Sequence, residues 1–215
     1  MGLGDLDSEE EDEEEPKEVE VVDSTTVSTP EEGGIIQPAS DLDQVVALYD
    51  EFEEIKERLL DFESDTETIG GRRFITKSGW RKIATAFNLS VETIEEERDV
   101  VDGVVTYTVK ARAVAPNGKT STGVGKCASN ESNHMETLGS NLDQAQDSFQ
   151  EWSHKYSEED IMKVDNKFRL LLEPREVNDH NIYATAATRA KNRAISDCVG
   201  GGEVSAEEVK KDDVL

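Results

Sequence analysis

The chain has 215 residues, with 49 acidic side chains against 23 Lys and Arg, and a formal net charge of −26. That length suits one domain plus an appendage, and no apolar run approaches the length of a membrane span. Two cysteines, Cys127 and Cys198, are too few for a disulfide framework and fit a reducing, cytoplasmic setting.

From residue 1 to 38 the chain runs through SEEEDEEEPKEVE and then a Ser/Thr/Pro/Gly-rich stretch. Like charge with few apolar residues cannot offset the entropy of ordering, so this segment is expected to be a disordered acidic tail. Ser40 is the expected N-cap of an amphipathic helix spanning 39–63, with Asp43 in capping-box position and Leu42, Val45, Tyr49, Phe52, Leu59 and Leu60 at helical spacing. Gly70 and Gly71 break it, and Phe74 and Ile75 look like a short strand. Ser78 is the expected cap of a second helix, whose Trp80, Ile83, Ala84 and Phe87 share a face and whose Asn88 ends it.

The period then changes to two. Val91 to Val101 leads into Asp102-Gly103, a strong hairpin signal. Val105, Tyr107, Val109, Ala111 and Ala113 then alternate with polar neighbours, and Pro116-Asn117-Gly118-Lys119 makes a second turn before KTSTGVGKCAS. A three-stranded antiparallel meander follows. Residues 129–177 read as an irregular insertion with one helix, Asp160 to Leu172, ending before Pro174. Asn178 or Asp179 caps a final helix to Val199 with an alanine stripe. Gly200 to Gly202 stops it, and Ser205 with Glu208 opens a short terminal helix. The expected fold is therefore α+β: a small antiparallel meander packed by helices within a domain at 69–208.

Three windows contain no carboxylate at all: between Glu67 and Glu92, between Asp102 and Glu131, and between Asp179 and Asp197. They hold Arg72, Arg73, Lys77, Arg81, Lys82, Lys110, Arg112, Lys119, Lys126, Arg189, Lys191 and Arg193. A polyanion-binding surface requires such clearings; a buried core also produces them. Elsewhere the acidic excess persists into the folded part. Molar salt favours such a surface, because it screens repulsion within about 3 Å. The composition thus points to a halophilic archaeon, or a virus or plasmid of one. An acidic tail on a mesophilic protein is the alternative.

No catalytic constellation is present, and no cofactor motif. Cys127, His134, His154, His180 and Cys198 lack the CxxC or HxxxH spacing of a zinc site. Gly118, Gly123 and Gly125 lack the helix and lysine of a phosphate loop and fit hairpin geometry better. What remains is basic and aromatic: Trp80 beside Arg81 and Lys82, Tyr107 on a strand with Lys110 and Arg112, and Tyr183 before Arg189. Cations beside rings suit a single nucleic-acid strand, although each ring also fits a core position.

The order of basic helix, antiparallel meander and Ala/Thr/Arg-rich helix resembles the Rad–Erf–Sak superfamily of single-strand annealing proteins, most of all in TAATRAKNRAISDCVGGGEVSAEE. The chain is also similar to a group of haloarchaeal proteins in which GWRKIA, APNG and TRAKNRAISD recur in this order. The resemblance implies a β-β-β-α core, assembly into homo-oligomers and a basic groove for single-stranded DNA, without nucleotide hydrolysis. On that reading Arg72, Arg73, Lys77, Arg81 and Lys82 flank the groove entrance, and Lys110, Arg112, Arg189 and Arg193 contact phosphates. Trp80 and Tyr107 then stack on bases. The competing expectation is a non-catalytic interaction module that assembles through the helix at Leu42 to Leu60.

Overall fold

The computed structural model describes residues 41–209. The acidic tail and Ser40 lie outside that range. The chain divides into two units after Val45, one turn into helix α1 (Leu42–Leu59); the unit from Val46 onward holds every sheet among the described residues. In that unit α1 buries Phe52 against Phe87, with ring centroids 5.9 Å apart. Its Lys56 Nζ lies 2.5 Å from Glu203.

A tight hairpin comes next. Strands β1 (Thr66–Ile69) and β2 (Arg72–Ile75) pair antiparallel across Gly70 and Gly71, both at positive φ, which glycine adopts without steric cost. Helix α2 (Lys77–Ala86) follows with Thr76 at its N-cap, but no side chain of its own N-terminus caps it. The free amide of Lys77 instead donates to the Glu207 carboxylate, 130 residues away. Ser78, the expected cap, donates to the Ser64 carbonyl.

The meander forms as the alternation and turn residues dictate. Strands β3 (Ser90–Val101), β4 (Val104–Val114) and β5 (Thr120–Ala128) make one sheet in that order. Asp102 and Gly103, both at positive φ, close the first hairpin. The last helix, α4 (Asp179–Val199), lies across the sheet. Asn178 caps it through Asn181 N, and Gly200 ends it in the left-handed conformation. Val105, Val109, Ala111, Ala113 and Cys127 on the sheet meet Ile182, Ala186, Ala190 and Ala194 on α4. Gly123 and Gly125 make this approach possible. A Cβ at Gly123 would lie 2.5 Å from Ala194 N, and one at Gly125 would lie 2.9 Å from Arg189 Cβ. These two glycines serve helix packing rather than the hairpin geometry expected for them; of the three glycines Gly118, Gly123 and Gly125, Gly118 alone sits in a turn at positive φ.

α4 also serves a second core on its other flank. There Ile195 joins Leu60, Ile75, Trp80, Ile83 and Ala84. Residues 129–177 depart furthest from expectation. They hold strand β6 (Glu136–Gly139), helix α3 (Leu142–Phe149) and a hairpin of β7 (Ile161–Val164) with β8 (Lys167–Leu170), around Leu138, Ala145, Phe149 and Leu170. The helix expected from Asp160 to Leu172 is thus that hairpin. Its turn is Asp165-Asn166, both left-handed, a pair that disfavours helix and closes tight hairpins. A 3-10 turn at Ala206–Glu208 follows α4. Among the described residues no helix is long and apolar enough to cross a membrane.

Candidate functional site

The arginines of α4 are occupied. The Arg189 guanidinium forms a two-pronged pair with the Glu131 carboxylate at 2.9 and 2.7 Å, and Arg189 also donates to the carbonyls of Lys126 and Glu207. Burial opposes ionisation of Glu131, but Arg189 outweighs it and holds the carboxyl below its ordinary range. Arg193 pairs with the Glu208 carboxylate and donates to the Val124 carbonyl at 2.6 Å. Lys126 and Val124 lie on β5, an edge strand of its sheet. Both arginines therefore cap open edge carbonyls, a common solution to the exposed-edge problem. Both arginines, expected as phosphate contacts, thus hold partners within the fold.

Lys110 and Arg112 face away from α4, on the outer side of the sheet. Register places Glu92 opposite Arg112, and Glu95, after a bulge, opposite Lys110. Arg112 Nη2 and Nε reach Glu92 at 2.5 and 3.0 Å, while Lys110 Nζ lies 4.0 Å from Glu95. Lys82 is also spoken for. Its ammonium lies 2.5 Å from the Asp65 carboxylate, which is buried, accepts from Asp61 N and is held below its ordinary pKa mainly by Lys82. Arg73 packs over the Phe62 ring at 4.5 Å, and Arg72 is exposed at the β1–β2 hairpin.

The two rings differ in exposure. Trp80 is fully buried, since the face it shares with Ile83 and Ala84 points into the core. Tyr107 lies beneath α4, edge-on to Tyr183 with centroids 5.7 Å apart. Trp80 is therefore corrected from base-stacking residue to core residue. Tyr107 belongs to the sheet–helix interface.

Two of the expected residues do converge, joined by one that was passed over. Lys77 and Arg81 of α2 and Lys191 of α4 line a groove of about 580 Å³ between the two helices. None of the three makes an ion pair among the described residues. Thr85 and Thr188 supply hydroxyls, and the apolar wall comes from Leu89, Val91, Ala184, Ala187 and Ile195. No Asp or Glu lines it, in a chain with 49 of them. Lys191 had a readable signal. At about 100° per residue it points roughly opposite both Arg189 and Arg193, two positions away on either side.

The groove is set by the packing around it. Gly79 lets α2 sit against the hairpin, where a Cβ would lie 2.8 Å from the Asp65 carbonyl. Glu207 ties the C-terminal segment to Lys77 N at 2.5 Å and to Asn192 Nδ2 at 3.1 Å. These contacts tie α2 to α4 without engaging the charged ends of Lys77, Arg81 or Lys191. Chemically the site can hold a phosphate or carboxylate by three cations; the Thr85 and Thr188 hydroxyls already donate to the carbonyls of Arg81 and Ala184.

Other reactive groups do not make a second chemistry. Burial pushes the Cys127 thiol up to about 12, well out of thiolate range. No group of His, Cys, Asp and Glu among the described residues has the arrangement of a metal site. Comparison with protein-family models and with curated proteins finds no match for this chain.

Proposed function

We propose that the groove between α2 and α4 binds the phosphate backbone of single-stranded DNA, and that the protein uses this to pair strands in recombination or replication without hydrolysing nucleotides. One observation carries the binding: three cations with no ion pair among the described residues, and no described carboxylate, line one groove, while a protein of net charge −26 neutralises Lys82, Arg112, Arg189 and Arg193 elsewhere. The pairing role is supported by the order of meander and α4, which matches the β-β-β-α core that the resemblance implies. The acidic composition and the two free cysteines support a halophilic source and a cytoplasmic setting within the same proposal.

With no ring in the groove, contact falls to charge. Three phosphate contacts give a salt slope of about −2 for a single strand. Fluorescence anisotropy with a labelled oligonucleotide, read across a KCl series, tests this. Arg81→Ala and Lys191→Ala should each weaken binding and flatten the slope by about 0.7, with thermal stability unchanged. Unaltered binding in both variants would remove the groove from consideration.

A second reading has its own observation. On α1, Val46, Leu48 and Tyr49 are 50, 63 and 54 % exposed. An interaction module that assembles through α1 would bury them. Sedimentation of the chain with Val46→Asp and Tyr49→Asp separates this reading from the first, since it predicts a change of mass and no change in oligonucleotide affinity.

A further inference from the structure

The groove does not end at Lys77. A second hollow of about 340 Å³ shares Lys77, Ala184 and Thr188 with it and extends toward the start of α4. The chemistry changes at that boundary. No further Lys or Arg lines the wall; His134, Asn181 and Thr185 take over, with Glu207 at the side. His134 is half-buried, and burial lowers its pKa, so at neutral pH the ring is uncharged and offers one donor and one acceptor. The Asn181 side-chain amide adds the same pair of functions.

A second phosphate would be poorly placed here. It would meet the Glu207 carboxylate, which the hydrogen bonds from Lys77 N and Asn192 Nδ2 hold in position. An uncharged group carrying amino or hydroxyl donors would meet an acceptor instead. The wall is also built in advance. Glu131, three residues before His134, is clamped by Arg189, and the buried Arg169 donates to the carbonyl of Ser132. A pre-ordered wall spares a ligand the cost of ordering it.

We propose that this second hollow is a nucleoside compartment, taking the base or sugar of the nucleotide whose phosphate lies among Lys77, Arg81 and Lys191. The assignment rests on the groove reading above and goes beyond it, since it names an uncharged subsite and the residues that line it. Recognition is then divided: charge holds the backbone on one side of Lys77, and neutral hydrogen-bonding groups hold the nucleoside on the other.

The test compares two polyanions on the full chain, a labelled oligonucleotide and inorganic polyphosphate of matched charge, the latter followed by its competition with the former and by calorimetry. Asn181→Ala and His134→Ala should each weaken the oligonucleotide about two- to tenfold, the range of one lost hydrogen bond, and leave polyphosphate unchanged. Lys191→Ala should weaken both. Asn181 lies exposed in the first turn of α4 and is engaged through its backbone, so its replacement tests the compartment even if His134→Ala perturbs the loop. Equal losses on both polyanions, or no loss on the oligonucleotide, overturn the compartment while Lys191→Ala keeps the groove. Failure of the native chain to bind either polyanion overturns the groove and the compartment together.

Discussion

The two flanks of α4 carry the same kind of residue and use it in opposite ways. On the β5 flank, Arg189 and Arg193 meet open carbonyls of an edge strand and the carboxylates of Glu131 and Glu208. On the α2 flank, Lys191 meets another helix, whose backbone groups are already satisfied and whose facing side chains are Ala84, Thr85, Lys77 and Arg81. A sheet edge presents unmet acceptors to a guanidinium, and its five donors can satisfy several at once. A helix flank presents none to an ammonium. The type of neighbouring element, more than the presence of a positive charge, decides whether that charge is spent on the fold or left free for a ligand.

The contrast breaks most completely if α4 cannot reach the sheet. Gly125→Val places atoms against α4 backbone that has no room to yield, and should cost about 3 kcal/mol or more, seen as a large loss of urea midpoint. The same substitution at the exposed Gly118 turn would strain only a loop at positive φ and keep the α4 contact. A Gly125→Val chain of native stability would mean that the close approach of α4 to β5 is not what holds the fold.

A smaller change sharpens the comparison on the β5 flank. Arg189→Met removes both prongs of the Glu131 pair and leaves that carboxylate half-buried, so a loss of about 2–3 kcal/mol is expected. Adding Glu131→Gln should restore part of it, because the stranded charge is gone. A double-mutant cycle in chemical denaturation measures the coupling, and additive losses would deny the pair its role.

Lys82 supplies the pH arm. Asp65 has a folded pKa below its unfolded value, so its contribution is full above the ordinary carboxylate range and is lost as pH falls through the folded value. Stability should decline with acid below about pH 4, and Lys82→Met should cost about 1.5 kcal/mol at neutral pH and less at pH 2. Equal costs at the two pH values would mean that Lys82 acts through packing alone. The smallest effect is expected on the outer face of the sheet. Lys110→Ala with Arg112→Ala should change stability by no more than about 0.5 kcal/mol and leave oligonucleotide binding unaltered, since Glu92 and Glu95 already neutralise that face. Weakened binding in this variant would return those residues to the interface.

Much of the fold was legible in the residue order because its signals are local. The alternation from Val105 to Ala113, the Asp102-Gly103 turn, the Asn178 cap and the Gly200 stop each depend on a few neighbouring residues, and each stands where expected. The β7–β8 hairpin was equally local, in Asp165-Asn166, but the leucines beyond it mimic a helical stripe. The site was only half legible. Lys77 and Arg81 were visible as cations in an acid-free window, but so were Arg189, Arg193 and Lys82. What separates the two groups lies 58 residues from Arg189, 15 from Arg193 and 17 from Lys82, in Glu131, Glu208 and Asp65.

By itself, then, the sequence determined the three strands of the meander and their turns, the helices that carry the basic residues, and the concentration of positive charge in three windows. Only the tertiary structure decided which of those charges are paired among the described residues and which rings are buried. Backbone conformation follows from torsional preference and spacing over a few residues. An ion pair follows from whichever carboxylate the packed elements bring within a few ångströms, and no local pattern encodes that.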